Sequence, residues 1–191
     1  MRHVLAIAGS LRRGSFNRSL LRAAAELAPP RLAVAVEDDL ASVPLFDEDL
    51  ESATAGGPGS VARLRAKVAS ADGLLIATPE YNQSIPGVLK NAIDWLSRDA
   101  AGEVLAGKPV AIVGASSGPW GTRLSQAALR QVLYATGSPV LPGPALYLRD
   151  ARRLFDDAGR LTDASTRERL AAVLAAFDRW MDRLATGGAR A

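Results

Sequence analysis

Apolar and polar positions change period several times along the chain. Val4–Ala8 is a continuous apolar run that ends at Gly9-Ser10, the pattern of a strand buried on both faces. From Asn17 to Leu27 the apolar residues Leu20, Leu21, Ala24 and Leu27 recur at helical spacing, and Pro29-Pro30 stops the segment. Leu32–Val36 reads as a second strand. Residues 41–60 form a long connection containing Pro44, Gly56-Gly57 and Pro58, and Val61–Ser70 is helical. Gly73–Ala77 is a third strand, and Val88–Leu96 a helix with Pro86 near its first turn. Val110–Gly114 is a fourth strand. Thr122–Tyr134 is a helix closed by Gly137, and Pro139–Leu141 and Ala145–Leu148 compete for a short fifth strand. Thr162–Leu184 is a long helix with Leu170, Val173, Leu174, Phe177, Met181 and Leu184 on one stripe.

Strands and helices alternate, and the central strands are continuously apolar. The pattern predicts an α/β fold: a doubly wound, five-stranded parallel sheet of order 2-1-3-4-5 with helices on both faces. Residues 1–185 are expected to form a single domain, with 186–191 a frayed tail. In such sheets ligands sit beyond the carboxyl ends of the strands, so the loops there are where chemistry is sought.

Composition narrows that chemistry mainly by exclusion. The 191 residues include no cysteine, which removes disulfides, thiolate catalysis and Cys-ligated metals. The single histidine, His3, lies at the start of a strand, so neither a zinc site nor a Ser-His-Asp triad is expected. The chemistry is expected to arrive with a cofactor. Net charge is +3, and the basic residues are dispersed without a long run, which argues against nucleic acid. No apolar run reaches the ~20 residues of a membrane-spanning helix. The apolar N-terminus passes straight into a turn, unlike an export signal, and a cytoplasmic location is expected.

Three strand-end loops carry candidate ligand groups. The first, Gly9-Ser10-Leu11-Arg12-Arg13-Gly14-Ser15-Phe16-Asn17, opens a helix. A helix N-terminus offers free N–H groups and a partial positive charge, suited to phosphate. Ser10, Ser15 and Asn17 add hydrogen-bonding groups and Arg12 a planar fork. The segment lacks both Gly-Lys-Ser/Thr and Gly-x-Gly-x-x-Gly, so it is neither a P-loop nor a Rossmann fingerprint. A turn with Ser15 or Asn17 as helix cap is the plainer reading. The second loop, Thr78-Pro79-Glu80-Tyr81-Asn82-Gln83-Ser84-Ile85-Pro86-Gly87, is stiffened by its prolines. Tyr81 can cover a ring and Asn82 can both donate and accept. A lone Glu80 reads as structural, bound to backbone amides or an arginine. The third loop, Gly114-Ala115-Ser116-Ser117-Gly118-Pro119-Trp120-Gly121, is small-residue-rich, and the amides of Ser116 to Gly118 can face a ring carbonyl. Together, a phosphate loop and two ring-framing loops describe a mononucleotide site.

At these residues the chain resembles the NAD(P)H-dependent FMN reductase family, which includes soluble quinone and chromate reductases. The resemblance rests on Gly-Ser-Leu-Arg-x-Gly-Ser-x-Asn at 9–17, Pro-Glu-Tyr-Asn at 79–82 followed by Ser84-Ile85-Pro86-Gly87, and Lys90-Asn91-Ala92-Ile93-Asp94-Trp95. It implies a flavodoxin-like fold with FMN as cofactor. Ser10, Arg12, Ser15 and Asn17 then hold the phosphate, with Phe16 also at the cofactor, Pro79, Glu80, Tyr81 and Asn82 line the isoalloxazine, and Ser116, Ser117 and Gly118 close the site. It implies no catalytic side chain, NADPH or NADH as donor, and a quinone, free flavin or similar small molecule as acceptor. It also implies a homodimer or homotetramer, with the 122–134 helix and the 41–60 connection as candidate contacts. Arg13 and Arg123 are candidates for favouring NADPH. A flavodoxin-type electron carrier without NAD(P)H turnover is the alternative. Within 90–95, Lys90 and Asp94 are spaced to pair on a helix, and Ile93 and Trp95 to pack.

Overall fold

The computed structural model describes residues 1–37, 39–98 and 102–187. Five parallel strands form one sheet in the order β2-β1-β3-β4-β5. They are β1 (Arg2–Ala8), β2 (Leu32–Glu37), β3 (Gly73–Ala77), β4 (Val110–Ala115) and β5 (Leu146–Leu148). The second of the two candidate segments becomes the edge strand; the first contributes a single parallel bridge, Val110 to Val140. Among the described residues six α-helices cross between or follow the strands: α1 (Phe16–Leu27), α2 (Glu48–Ala53), α3 (Gly59–Ser70), α4 (Gly87–Leu96), α5 (Arg123–Ala135) and α6 (Ala164–Gly187).

Alternation along each strand divides the core in two. Val4, Ala6 and Ala8 of β1 face α1 and α6, where Leu20, Leu21, Leu170, Leu174 and Phe177 are buried. Leu5 and Ile7 face the other side, against Val61, Leu64 and Val68 of α3, Leu89 and Trp95 of α4, and Leu129 and Leu133 of α5. Each buried Val, Leu, Ile or Phe among them contributes about 1.5–3 kcal/mol on leaving water. The stripe expected on the last helix is therefore its buried face, from Leu170 to Met181. That helix runs on through Gly187, into the segment expected to fray; residues 188–191 of the expected tail lie outside the described residues.

The 41–60 connection is more ordered than its prolines and glycines suggest. It contains α2, which Asp47 starts by accepting from the amides of Asp49 (2.8 Å) and Leu50 (3.4 Å). Its Pro44 carbonyl accepts from Asn91 Nδ2 and Trp95 Nε1, both at 2.8 Å, and Phe46 N–H donates to Asn91 Oδ1 at 2.8 Å. Asn91 and Trp95 are thus anchors for this connection, while Lys90 and Asp94 pair at 2.6 Å on the exposed face.

Candidate functional site

The loops after β1, β3 and β4 meet in one cleft at the carboxyl end of the sheet. Ser10, Arg12, Ser15, Phe16, Asn17, Pro79, Glu80, Tyr81, Ser116 and Ser117 line it together with Ala115, around a cavity of about 170 Å³. Asn82 and Gly118 lie outside this wall.

Specific contacts hold the three loops together. A Cβ on Gly9 would come within 3.1 Å of Leu89 and 3.3 Å of Pro79, so the first loop packs closely on the second. A Cβ on Gly114 would lie 2.0 Å from Thr122 Oγ1 and 2.6 Å from the Thr78 carbonyl, which leaves no room for any other residue where the second and third loops meet. Asn17, buried in the first turn of α1, joins the first loop to the third: its Nδ2 donates to the Ala115 carbonyl and its Oδ1 accepts from the Ala115 amide, each at 2.9 Å.

The first loop is a set of donors. Ser15 caps α1 by accepting from Arg18 N–H at 3.4 Å, and the first turn contains no acidic residue. The Phe16 and Asn17 amides lie in that turn, where an α-helix provides no acceptor for them. Ser10 and Ser15 are buried with hydroxyl groups at the cleft. Arg12 lies 5.5 Å from the Phe16 ring centre and donates to the Gly14 carbonyl at 2.7 Å, leaving further N–H groups on its fork. An anion complements such a set, with the helix dipole adding to the attraction.

The second loop is a rigid hairpin. Tyr81 and Ser84 exchange backbone hydrogen bonds at 3.0 Å, and Asn82 and Gln83 between them both have positive φ, at 49° and 63°. This is a type I′ turn, in which Asn is favoured at the first position. Asn82 and Gln83 form the turn itself, while Tyr81, 52% exposed, is left at the cleft. Glu80 does what a lone structural carboxylate was expected to do. Its Oε2 accepts from the amides of Leu124 (2.8 Å) and Ser125 (3.0 Å), capping α5, whose own cap residue Thr122 makes no side-chain cap bond.

The third loop departs from expectation. The Ser116 amide donates to Leu148 at 2.9 Å and the Gly118 amide to Ser116 Oγ at 3.0 Å. Only the Ser117 amide has no partner among the described residues and is available to a ring carbonyl. The segment behind this loop is also fixed, with Ala151 N–H donating to the Ser116 carbonyl at 3.0 Å. Sequence reading found the loops and anticipated a structural Glu80, but it missed the Asn17–Ala115 bonds and which amides Glu80 binds, because the partners are 98 residues apart for Asn17 and 44 for Glu80.

The sequence model of the family described as NADPH-dependent FMN reductase matches residues 2–152. The chain belongs to this family. An NAD(P)H-dependent FMN reductase of Pseudomonas aeruginosa is 44% identical over 181 residues, covering 95% of this chain and 96% of the relative. A 2-hydroxy-1,4-benzoquinone reductase from a Burkholderia species is 38% identical over 178 residues, covering 93% and 95%. Among solved structures, FerB of Paracoccus denitrificans, a flavoenzyme NAD(P)H:(acceptor) oxidoreductase, superposes with a TM-score of 0.86 at 33% identity, covering 96% of this chain and 98% of that one. For the NADPH-dependent FMN reductase family the donor set fits the implied cofactor. The unfilled amides and buried hydroxyls at α1 match a phosphate, and the open cleft between Tyr81 and Ser117 leaves room for a flat ring.

Proposed function

We propose that the chain binds FMN in this cleft and uses NADPH or NADH to reduce a quinone-class acceptor. The observation that carries this reading is the single cleft formed by three strand-end loops, donor-rich at α1 and walled by Pro79, Tyr81, Ser116 and Ser117 opposite. FMN, when bound, supplies the two-electron chemistry between a nicotinamide and a quinone. The protein's part is to bind and orient. Ser10, Ser15, Arg12 and the amides of Phe16 and Asn17 hold the phosphate. The hairpin at 81–84 fixes Tyr81 and Pro79 along the ring, and the Ser117 amide serves as a donor to it. Asn17 and Glu80 act through the backbone they hold, Asn17 by tying α1 to β4 and Glu80 by fixing α5. The carboxylate of Glu80 is committed to helix amides, so the cleft works without a general acid or base of its own.

The test is the visible spectrum of the purified protein with and without FMN, followed by anaerobic NADPH and NADH. Bound flavin that bleaches with nucleotide is expected; a protein that neither retains nor takes up flavin overturns the reading. Arg12→Ala should weaken FMN binding by about 10- to 100-fold, the scale of one charge-assisted hydrogen bond. Donor and acceptor share one open face, so steady-state kinetics should be ping-pong; an obligatory ternary complex would contradict a shared face. An electron carrier would not turn over NAD(P)H, and no feature of the cleft favours one.

The family resemblance also supports a homodimer or homotetramer. Leu45 on the 41–60 connection and Leu124 and Tyr134 on α5, the segments expected to make that contact, are large apolar side chains left exposed. No helix among the described residues is long and apolar enough to cross a membrane. Dependence on reduced pyridine nucleotide supports a cytoplasmic location.

A further inference from the structure

Four exposed arginines stand at the carboxyl end of the sheet without an ion pair among the described residues: Arg13 in the first loop, and Arg149, Arg152 and Arg153 directly after β5. Several other arginines are held in ion pairs within the fold. Arg2 pairs with Asp178 at 2.6 Å, Arg98 with Glu51 at 3.0 Å, and Arg160 with Asp156 at 2.7 Å. These four charges give this end of the molecule a local positive field. Asp150 and Asp157 offset part of it, while Asp156 is taken by Arg160.

The position of these arginines is fixed by the backbone, not by their own side chains. Asp150 N–H donates to the Gly118 carbonyl at 3.3 Å and Ala151 N–H to the Ser116 carbonyl at 3.0 Å, while Arg153 N–H closes the turn on Asp150 at 2.9 Å. On the other side, the Phe155 ring lies 5.6 Å from that of Phe16, on which Arg12 rests. The turn at 151–153 is therefore held between the third loop and the first, at the rim of the cleft, with its guanidinium groups in solvent. Arg12 and the α1 amides serve the cofactor phosphate within the cleft; the rim arginines have no such task there.

We propose that Arg149, Arg152 and Arg153, with Arg13 of the first loop, receive the 2′-phosphate of NADPH and make it the preferred donor over NADH. This rests on the proposed flavin reductase function. A phosphomonoester presents several strong acceptors to the planar arginine fork, and NADH has only a hydroxyl at the same position. The rim also raises the rate of encounter with a polyanion, an effect that salt suppresses.

The experiment uses the FMN-loaded protein and the Arg152→Gln/Arg153→Gln double variant, leaving the residues that line the cleft intact. Wild type should favour NADPH, and the variant should lose about tenfold or more in kcat/KM for NADPH, through KM, with NADH changed less than about twofold. A second readout is free of turnover. In calorimetry, 2′,5′-ADP should bind wild type about tenfold more tightly than 5′-AMP, and the variant should bind the two alike. Equal efficiency with NADPH and NADH in wild type overturns the proposal, as does an equal loss for both nucleotides in the variant. So does a loss seen only with an anionic acceptor, which would make the rim an acceptor site. Bleaching of bound flavin by NADH, read on the same samples, separates the two levels. If it persists, only the rim assignment fails; if no flavin binds, the function itself fails.

Discussion

At the scale of single residues, the side chains most characteristic of the cleft loops turn out to work on the protein itself. Asn17 is 3% exposed and spends both ends of its amide on Ala115. Asn17→Ala should leave that amide and carbonyl buried without partners and lower the stability of the flavin-free protein by about 2–3 kcal/mol. Urea denaturation without FMN measures this directly; an unchanged midpoint would mean that Asn17 serves only a ligand. Asn17→Asp keeps the acceptor but opposes the Ala115 carbonyl with a second oxygen and puts a negative charge beside the phosphate loop, so it should weaken FMN more than alanine does. Gly114→Ala is the corresponding test of close approach. The Thr122 hydroxyl and the Thr78 backbone leave no space for a methyl group, and overpacking there should cost about 1–3 kcal/mol. Wild-type stability in that variant would show that the β4 end can move aside.

At the scale of elements, hydrophobic period was enough for the strands and the long helices, because each buries a stripe or a continuous run in one of two cores. It was not enough for α2, a six-residue helix in which only Glu51 is buried, so no apolar stripe marks it. The signal present was polar: Asp47 followed by Glu48, Asp49 and Glu51, a helix start readable from capping chemistry. The site divides the same way. Which loops converge followed from strand order, and the structural reading of Glu80 followed from its isolation. That Asn82 forms a type I′ turn, and that the Ser116 and Gly118 amides are consumed locally, depends on φ angles and partners that spacing does not encode. The 41–60 connection also gives an element-scale prediction. Its tip, Pro44-Leu45-Phe46, is held by Asn91 and Trp95 while Leu45 points outward. Asn91→Ala removes two of the three bonds and should open this segment locally before the whole chain unfolds. Limited proteolysis with an enzyme that cuts beside leucine or phenylalanine should then nick the variant at Leu45-Phe46 and spare wild type. Equal resistance would show that Trp95 alone holds the loop.

At the scale of the whole molecule, the N-terminal strand and the last helix are joined by charge. Arg2 at the start of β1 bonds Asp178 at 2.6 Å and also Asp182, both on α6, and Arg31 reaches Asp182 at 3.3 Å. The hydrogen bond from Arg2 is the largest cause holding the Asp182 carboxyl below its ordinary value of 3.8, with the charges of Arg2 and Arg31 adding to it. Asp156, through the backbone N–H and side chain of Arg160, and Asp163, through Thr166, are shifted the same way. A carboxyl with a depressed folded pKa binds fewer protons folded than unfolded. Its contribution is therefore complete above the unfolded value and is lost as pH falls through the folded one. Stability should decline from about pH 5 toward about pH 3. Asp182→Asn removes the titration at this tie while leaving an oxygen to accept from Arg2. The gap in urea midpoint between wild type and variant should be widest at neutral pH and close as the medium becomes acidic. A gap that keeps its neutral-pH size into the acid limb would mean that Asp182 contributes by packing and not by charge, and that acid lability begins elsewhere in the chain.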